Sequence, residues 1–235
     1  MTASLPTEVQ QVFDRFRTTA YTTLDPHGQP ICWPATHSYA LGDPCIDVRA
    51  APGDRVDARA NPKVALLFSE SAGSGLDDAP QVLIQGTANA GDRDLVRVRP
   101  ERVYVWPGGD ATQEPRLFDA HMEEVRSGHD EEPDAPHAAA EGGSPTWDEC
   151  IDELGQSFDA VLSLVAPDGF PFSVCVPIEA DGAAQRLRIS SGVLGVPVQA
   201  GLACVTARDQ FQVRGDLVDE ESGWVVVPHR IVGRP

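Results

Sequence analysis

The feature that most constrains this chain is that it repeats itself. The stretch TTLDPHGQPICWPATHSYALGDPCIDV (22–48) has a counterpart in LSLVAPDGFPFSVCVPIEADGAAQRLRI. Pro26, Gly28 and Pro30 fall on Pro167, Gly169 and Pro171 at a constant spacing of 141. Further on, NPKVALLF (61–68) is laid over QAGLACVT (199–206), QVLIQG (81–86) over QFQVRG (210–215), and VRPERV (98–103) over VVPHRI (226–231). Few residues are identical, but order and spacing persist, which is the mark of a duplicated folding unit. At 235 residues, each half is long enough to bury its own core.

Each copy reads alike. An amphipathic helix comes first: Val9, Val12, Phe13 and Phe16 recur at helical spacing behind a Thr7-x-x-Gln10 capping box. In the second copy, Ile151, Leu154 and Phe158 follow Thr146-x-x-Glu149. A hairpin turn follows at Asp25–Gly28 and again at Pro167–Gly169, where glycine supplies the positive φ. Short strands are expected over 45–48, 64–68, 81–87 and 103–106, echoed by 187–189, 203–206, 211–215 and 224–227. Their spacing favours a barrel, whose closure removes exposed edges. The fold class expected is mainly β with flanking helices: two tandem split β-barrels forming an intrachain pseudo-dimer. The divisions are 1–108 for the first copy, 109–145 for a linker and 146–235 for a degenerate second copy. Within the linker, Leu117, Phe118, His121, Met122 and Val125 suggest a helical stripe, and residues 128–145 an acidic loop rich in Gly and Pro.

The ordered set Asp25…Gly28-Gln-Pro30, Ile46–Val48, Arg55, Asn61-Pro62-Lys-Val-Ala-Leu66, Gln81-Val-Leu-Ile-Gln-Gly86 and Pro100-Glu-Arg-Val-Tyr-Val-Trp106 resembles the FMN-binding split barrels related to pyridoxamine 5′-phosphate oxidase. The resemblance spans about residues 9–106 and, more weakly, 147–235. It implies homodimer-like pairing of two barrels with a flavin at their interface, and so a flavoprotein oxidoreductase. The flavin would carry the redox chemistry, and the protein would bind and orient it. The resemblance puts phosphate contacts at Arg49 and Arg55, with Arg59 a third, and ring contacts at Gln81 and Trp106. Gln210 and Arg214 would reach the same cleft from the second copy. The same arginines would equally serve as surface charges beside Asp47, Asp54 and Asp57, Gln81 as a strand-end residue and Trp106 as core.

Departures from the pattern matter. The phosphate loop reads Pro52-Gly-Asp-Arg55 with one clear base, and its counterpart, SSGVLGVP (190–197), has none, so one cofactor site at most is expected. Arg116-Leu-Phe-Asp-Ala120 lacks the histidine and second arginine of a true pyridoxamine phosphate oxidase, so that reaction is not supported. Alternatives are a non-catalytic module for haem, a deazaflavin or another planar ligand, and a scaffold with no ligand. No catalytic residue is assigned.

Charge and cysteine usage bound the rest. With 36 acidic residues against 18 basic, the net charge is −18, which disfavours nucleic acid and anionic membranes. The partners expected are a small-molecule cofactor and substrate, with the chain a monomer acting as a pseudo-dimer or a homodimer. Five cysteines without C-x-x-C spacing suggest reduced thiols and a cytoplasmic protein. His121, His129 and His137 recur every eight residues, but Pro133 and Pro136 interrupt any helix that would align them, so no metal is expected.

Overall fold

The computed structural model describes residues 5–40, 42–69, 79–90, 95–120, 145–155, 157–189, 198–207, 211–221 and 223–233. The first copy contains α1 (Thr7–Arg15), β1 (Thr18–Leu24), β2 (Pro30–Tyr39), β3 (Ile46–Arg49), α2 (Pro52–Ala60), β4 (Lys63–Phe68), β5 (Gln81–Ala90), β6 (Leu95–Trp106) and β7 (Arg116–Asp119). The second contains α3 (Trp147–Leu154), β8 (Ser157–Val165), β9 (Pro171–Asp181), β10 (Arg186–Ile189), β11 (Gly201–Ala207), β12 (Phe211–Glu220) and β13 (Gly223–Gly233).

Both copies close into six-stranded antiparallel barrels with the same connectivity. The first runs β3-β2-β1-β4-β5-β6 and closes where β6 pairs with β3; the second runs β10-β9-β8-β11-β12-β13 and closes where β13 pairs with β10. Two unrelated lobes would not share this order, so the duplication is a structural fact. It extends to detail. Both hairpin turns carry a positive-φ glycine, Gly28 at 82° and Gly169 at 81°. Both long hairpins shift register at one place, between Gln85 and Gly86 and between Arg214 and Gly215. There the backbones come so close that a Cβ on Gly86 would lie 2.2 Å from Arg99 O, and one on Gly215 2.0 Å from Val227 O. Glycine is required at these bulges because the neighbouring strand occupies the side chain's place.

The two glycines also fix the alignment of the fourth strands. Gly86 lies opposite Val64, and Gly215 opposite Ala203. The true offset there is therefore 139, one more than matching NPKVALLF to QAGLACVT implies. Ala65, not Leu66, is the counterpart of Cys204.

Several local expectations are corrected. Residues 52–55 are not a loop but the first turn of α2, where Pro52 suits a helix start because its missing N–H would be unsatisfied anyway. Leu117 and Phe118 lie in β7, paired with β6, and not in a helix; His121, Met122 and Val125 lie outside the described residues. Pro6 is the N-cap of α1 and Thr7 its first residue, so the first capping box does not form; Gln10 donates instead to Leu5 O at 2.6 Å. The second box is complete, with Thr146 and Glu149 each bonding the other's backbone N–H. The later strands run longer than expected, because the β5–β6 and β12–β13 hairpins continue through their bulges.

Alternation along each strand sends one set of side chains into the barrel and the other outward. In the first barrel, Val64, Leu66, Phe68, Val82, Ile84, Val103 and Val105 fill the interior. Their outward neighbours Ala65, Leu67, Leu83 and Trp106 are buried as well, in a cluster shared with Leu162, Val174 and Val205 of the second barrel. The barrels therefore join through a second apolar layer, each fully buried Val or Leu contributing roughly 1.5–3 kcal/mol. No helix among the described residues is long and apolar enough to cross a membrane.

Candidate functional site

The seam between the barrels has a centre that the duplication itself marks. Thr22 and Ser163 are counterparts 141 residues apart, and their hydroxyl oxygens are 3.4 Å from each other. A residue that touches its own counterpart must stand beside a two-fold axis. Ser173 completes the group, 2.8 Å from Thr22 Oγ1 and 2.9 Å from Ser163 Oγ. All three residues are buried, and each hydroxyl can donate one bond and accept others, so the cluster satisfies itself.

On either side of this axis the seam differs. On one side β4 and β5 pack over β9. Leu67 and Leu83 supply apolar surface, while Tyr104 and Trp106 set their rings edge-on to Phe172, with centroids 5.4 and 6.0 Å apart. At the rim, Lys63 Nζ donates to Asp168 O at 2.7 Å, Arg102 pairs with the Asp168 carboxylate at 2.5 Å, and both cations lie over the Phe170 ring at 5.0 and 4.8 Å. Gln85 donates to Pro171 O at 2.8 Å, and its Oε1 finds no donor among the described residues. The second hairpin turn is clamped by the first barrel.

On the other side β11 packs over β2, and the chemistry is polar. Gln212 and Thr206 both donate to Cys32 O, the latter at 3.0 Å. Their counterparts across the axis are Leu83 and Leu67. At this rim, Leu202, Arg230, His27 and Gln29 stand where the clamp has Lys63, Arg102, Asp168 and Phe170. Gln29 Nε2 reaches Ala203 O at 2.8 Å. Arg214 is half-buried and donates from Nε to Gln212 Oε1 at 3.0 Å. It also lies within electrostatic reach of Asp57 on α2. Burial pushes the Asp57 carboxyl up to about 6, and Asp25 from the first hairpin turn adds to the rise, while Arg214 pulls against it. Asp25 of the first turn and Arg214 of the second barrel's β12 are thus both within electrostatic reach of Asp57 on α2.

The expected site residues fall into two groups. Arg49 is exposed at the end of β3, three residues before α2, whose N-terminus has no side-chain cap; Arg59 is exposed in the last turn of α2. Arg55 is in α2, though its side chain is outside the described part, and Arg214 faces the helix from the other barrel. Gln81 and Trp106 pair with each other at the far end of β5 and β6. Gln81 accepts from Cys175 N–H of β9 and is 2% exposed. Trp106 is fully buried, its indole N–H without an acceptor among the described residues. The chain just after α2 meets β5 at Ala88, whose N–H donates to Pro62 O. That is seven residues from Gln81, roughly 23 Å along a strand. These two residues are joined to the second barrel through Cys175 and Phe172. Gln210 lies outside the described residues, as do His121, His129 and His137; among those described, no cluster of three or more metal-ligating side chains occurs.

Sequence reasoning missed Asp25, Gln29, Asp57 and Gln212. In the sequence Asp57 stands out only as a partner for nearby arginines. Gln212 carries a signal visible in the repeat, a polar residue laid over Leu83.

No protein-family model and no curated protein matches the chain. Solved structures similar to it include a heme binding protein from Mycobacterium smegmatis (13% identity over 50% of this chain and 60% of that one, TM-score 0.39). They also include General Stress Protein 26 from Bacillus anthracis (15%, 48% and 96%, 0.36) and a protein of the pyridoxinephosphate oxidase family from Clostridium acetobutylicum (11%, 48% and 92%, 0.38). The chain is a tandem split β-barrel. Its own strand order and closure make it one.

Proposed function

We propose that the polar side of the seam binds one planar, anionic cofactor of the flavin mononucleotide type, making the protein a flavin-binding oxidoreductase. The observation that supports this reading is that Arg214 of the second barrel lies within electrostatic reach of Asp57 on α2. An uncapped helix N-terminus offers backbone N–H groups and a partial positive charge to a phosphate. Arg49 precedes it and Arg214 adds a cation from the other barrel, while Arg59 stands in the last turn at the helix's opposite end. Flavin supplies the hydride chemistry when bound; the chain's residues anchor its phosphate and hold it between the barrels. Arg55 belongs to the same helix and is part of the proposed anchor. The clamp of Lys63 and Arg102 on the opposite turn favours a single site per chain.

The test is titration of the purified protein with FMN, followed by the visible spectrum after free flavin is removed. A retained flavin band at one equivalent per chain is expected, and Arg214→Ala or Arg49→Ala should each weaken binding about tenfold, the value of one charge-assisted phosphate contact. Absence of a retained band would overturn the reading. A shifted Soret band on adding hemin, with no FMN retained, would replace flavin by haem. Photoreduction of the retained flavin, followed by its reoxidation with an added acceptor, distinguishes an oxidoreductase from a passive carrier.

A further inference from the structure

The polar side of the seam holds two thiols that the proposed flavin site does not use. Cys32 lies on β2 opposite Thr22, and Cys204 on β11 opposite Ser163. Since Thr22 and Ser163 touch, the two cysteines flank the same contact from different barrels. One hydroxyl spans them: Thr206 Oγ1 is 3.8 Å from Cys204 Sγ and donates to Cys32 O at 3.0 Å. The Cys32 backbone is itself within hydrogen-bonding reach of the Cys204 thiol. Apart from Gln212, which bonds Cys32 O, the residues packed here are small (Thr, Ser, Cys, Ala), and Cα atoms of β2 and β11 approach within 8 Å. A disulfide requires Cα atoms about 4.4–6.8 Å apart, a range that only such closely packed sheets approach. Across the axis the counterparts are Ser173 and Ala65, so this device exists on one side only.

We propose that Cys32 and Cys204 are a redox pair able to close into a disulfide that covalently fastens one barrel to the other. Hydrogen peroxide is the smallest suitable oxidant. The thiolate of one cysteine attacks a peroxide oxygen, the O–O bond breaks, and a sulfenic acid and hydroxide form. The second thiol then attacks the sulfenic sulfur; an S–S bond forms and water leaves. In total two thiols give up two electrons and two protons, and one peroxide becomes two waters. Both side chains are fully buried, and burial pushes the Cys204 thiol up to about 12. Closure is therefore slow, limited by brief opening of the seam, and the bond once formed is protected from reductants by the same burial. The inference does not depend on what the seam binds.

Native protein is incubated with peroxide for hours, alkylated and digested without reduction. The expected product is a peptide pair joining Cys32 to Cys204, with loss of about 2 Da from the intact mass. The closed loop is long, so the melting temperature should rise by on the order of 10 °C, and reduction should reverse this. Cys204→Ser and Cys32→Ser should each abolish both the linked peptide and the thermal shift; both substitutions are small, and either suffices if the other folds poorly. Linkage through Cys45, Cys150 or Cys175 instead, linkage only in denaturant, or oxidation of the two thiols without a bond between them would each overturn the proposal.

Discussion

The two hairpin turns began as the same structure and now serve opposite ends. Asp25–Gln29 and Ala166–Phe170 share their backbone hydrogen bonds: Asp25 N–H to Gln29 O at 3.0 Å and Ala166 N–H to Phe170 O at 2.8 Å, each with its glycine N–H returning to the first residue. The second turn is held by two cations, an aromatic ring and a carboxylate; the first is held by one amide, beside two carboxylates and Arg214. The difference teaches that duplication freed the two rims of the seam to diverge. One became adhesive, with an apolar layer of Leu67, Leu83 and Trp106 behind the clamp of Lys63, Arg102 and Asp168. The other kept polar side chains that a purely adhesive surface would have shed, because burying amides and charged groups costs free energy unless they are partnered.

What did not diverge should break hardest. Gly86→Ala and Gly215→Ala each place a Cβ inside the neighbouring strand's backbone, and neither contact is with a flexible side chain that could move away. Each should cost about 3 kcal/mol or more in urea denaturation. Similar losses in the two variants would establish that both barrels unfold as one cooperative unit; a much smaller loss for Gly215→Ala would mean that the second barrel opens separately.

The rims should respond unequally. Phe170→Ala removes a ring that is 8% exposed together with its two cations, a loss of about 3 kcal/mol. Gln29→Ala removes one hydrogen bond, about 1 kcal/mol. Equal effects, measured by the same denaturation, would refute the asymmetry. The salt bridge itself contributes modestly, since Arg102 and Asp168 are 26% and 42% exposed and solvent screens them.

Much of this was legible in the sequence, and the reason lies in which residues the backbone dictates. Gly28 and Gly169 announce turns that need positive φ, Gly86 and Gly215 mark bulges, and Pro100 and Pro228 stand beside them. These are constraints on the chain itself and survive divergence. The fourth strands carry no such marker, so their alignment slipped by one. A one-residue slip exchanges the two faces of a strand. It placed Cys204 over Leu66 in the barrel interior, when the thiol faces the seam. The pairing of Gln81 with Cys175 was illegible for a different reason: it depends on the docking of two barrels, and the residue at the counterpart of Cys175 is Pro34, which has no N–H to give.

Exchanging seam residues across the axis sharpens the contrast. Leu83→Gln puts an amide into the apolar cluster that holds Leu67 and Trp106, and should cost about 2 kcal/mol. Gln212→Leu should cost about 1 kcal/mol, because Thr206 still donates to Cys32 O. The order of the two effects, read from denaturation midpoints, is the test; a larger loss for Gln212→Leu would mean that the polar side is the main adhesive one.

The smallest effect is in the pH dependence, and it reports on the site directly. Asp57 is raised by burial first and by Asp25 second, to about 6 in the folded chain from 3.8. The folded state therefore holds its proton more tightly than the unfolded state does. Between roughly pH 4 and 6 the native chain binds more protons, so this group's contribution makes stability fall as pH rises, and the penalty is fully present above pH 6. Asp57 is only half-buried, and with solvent screening the span is about 1 kcal/mol. His37 acts oppositely, since burial lowers it and its neutral folded form is disfavoured as the pH falls. The comparison must therefore be between the wild type and Asp57→Asn, which cancels the histidine. The variant should be more stable at pH 7 and converge on the wild type near pH 4. If Arg214 is the cofactor's anchor, the same substitution should also strengthen FMN binding at pH 7, by removing a carboxylate that competes for the guanidinium. A gain in stability with no gain in FMN affinity would separate Asp57 from the binding site and leave it a strained residue of the seam.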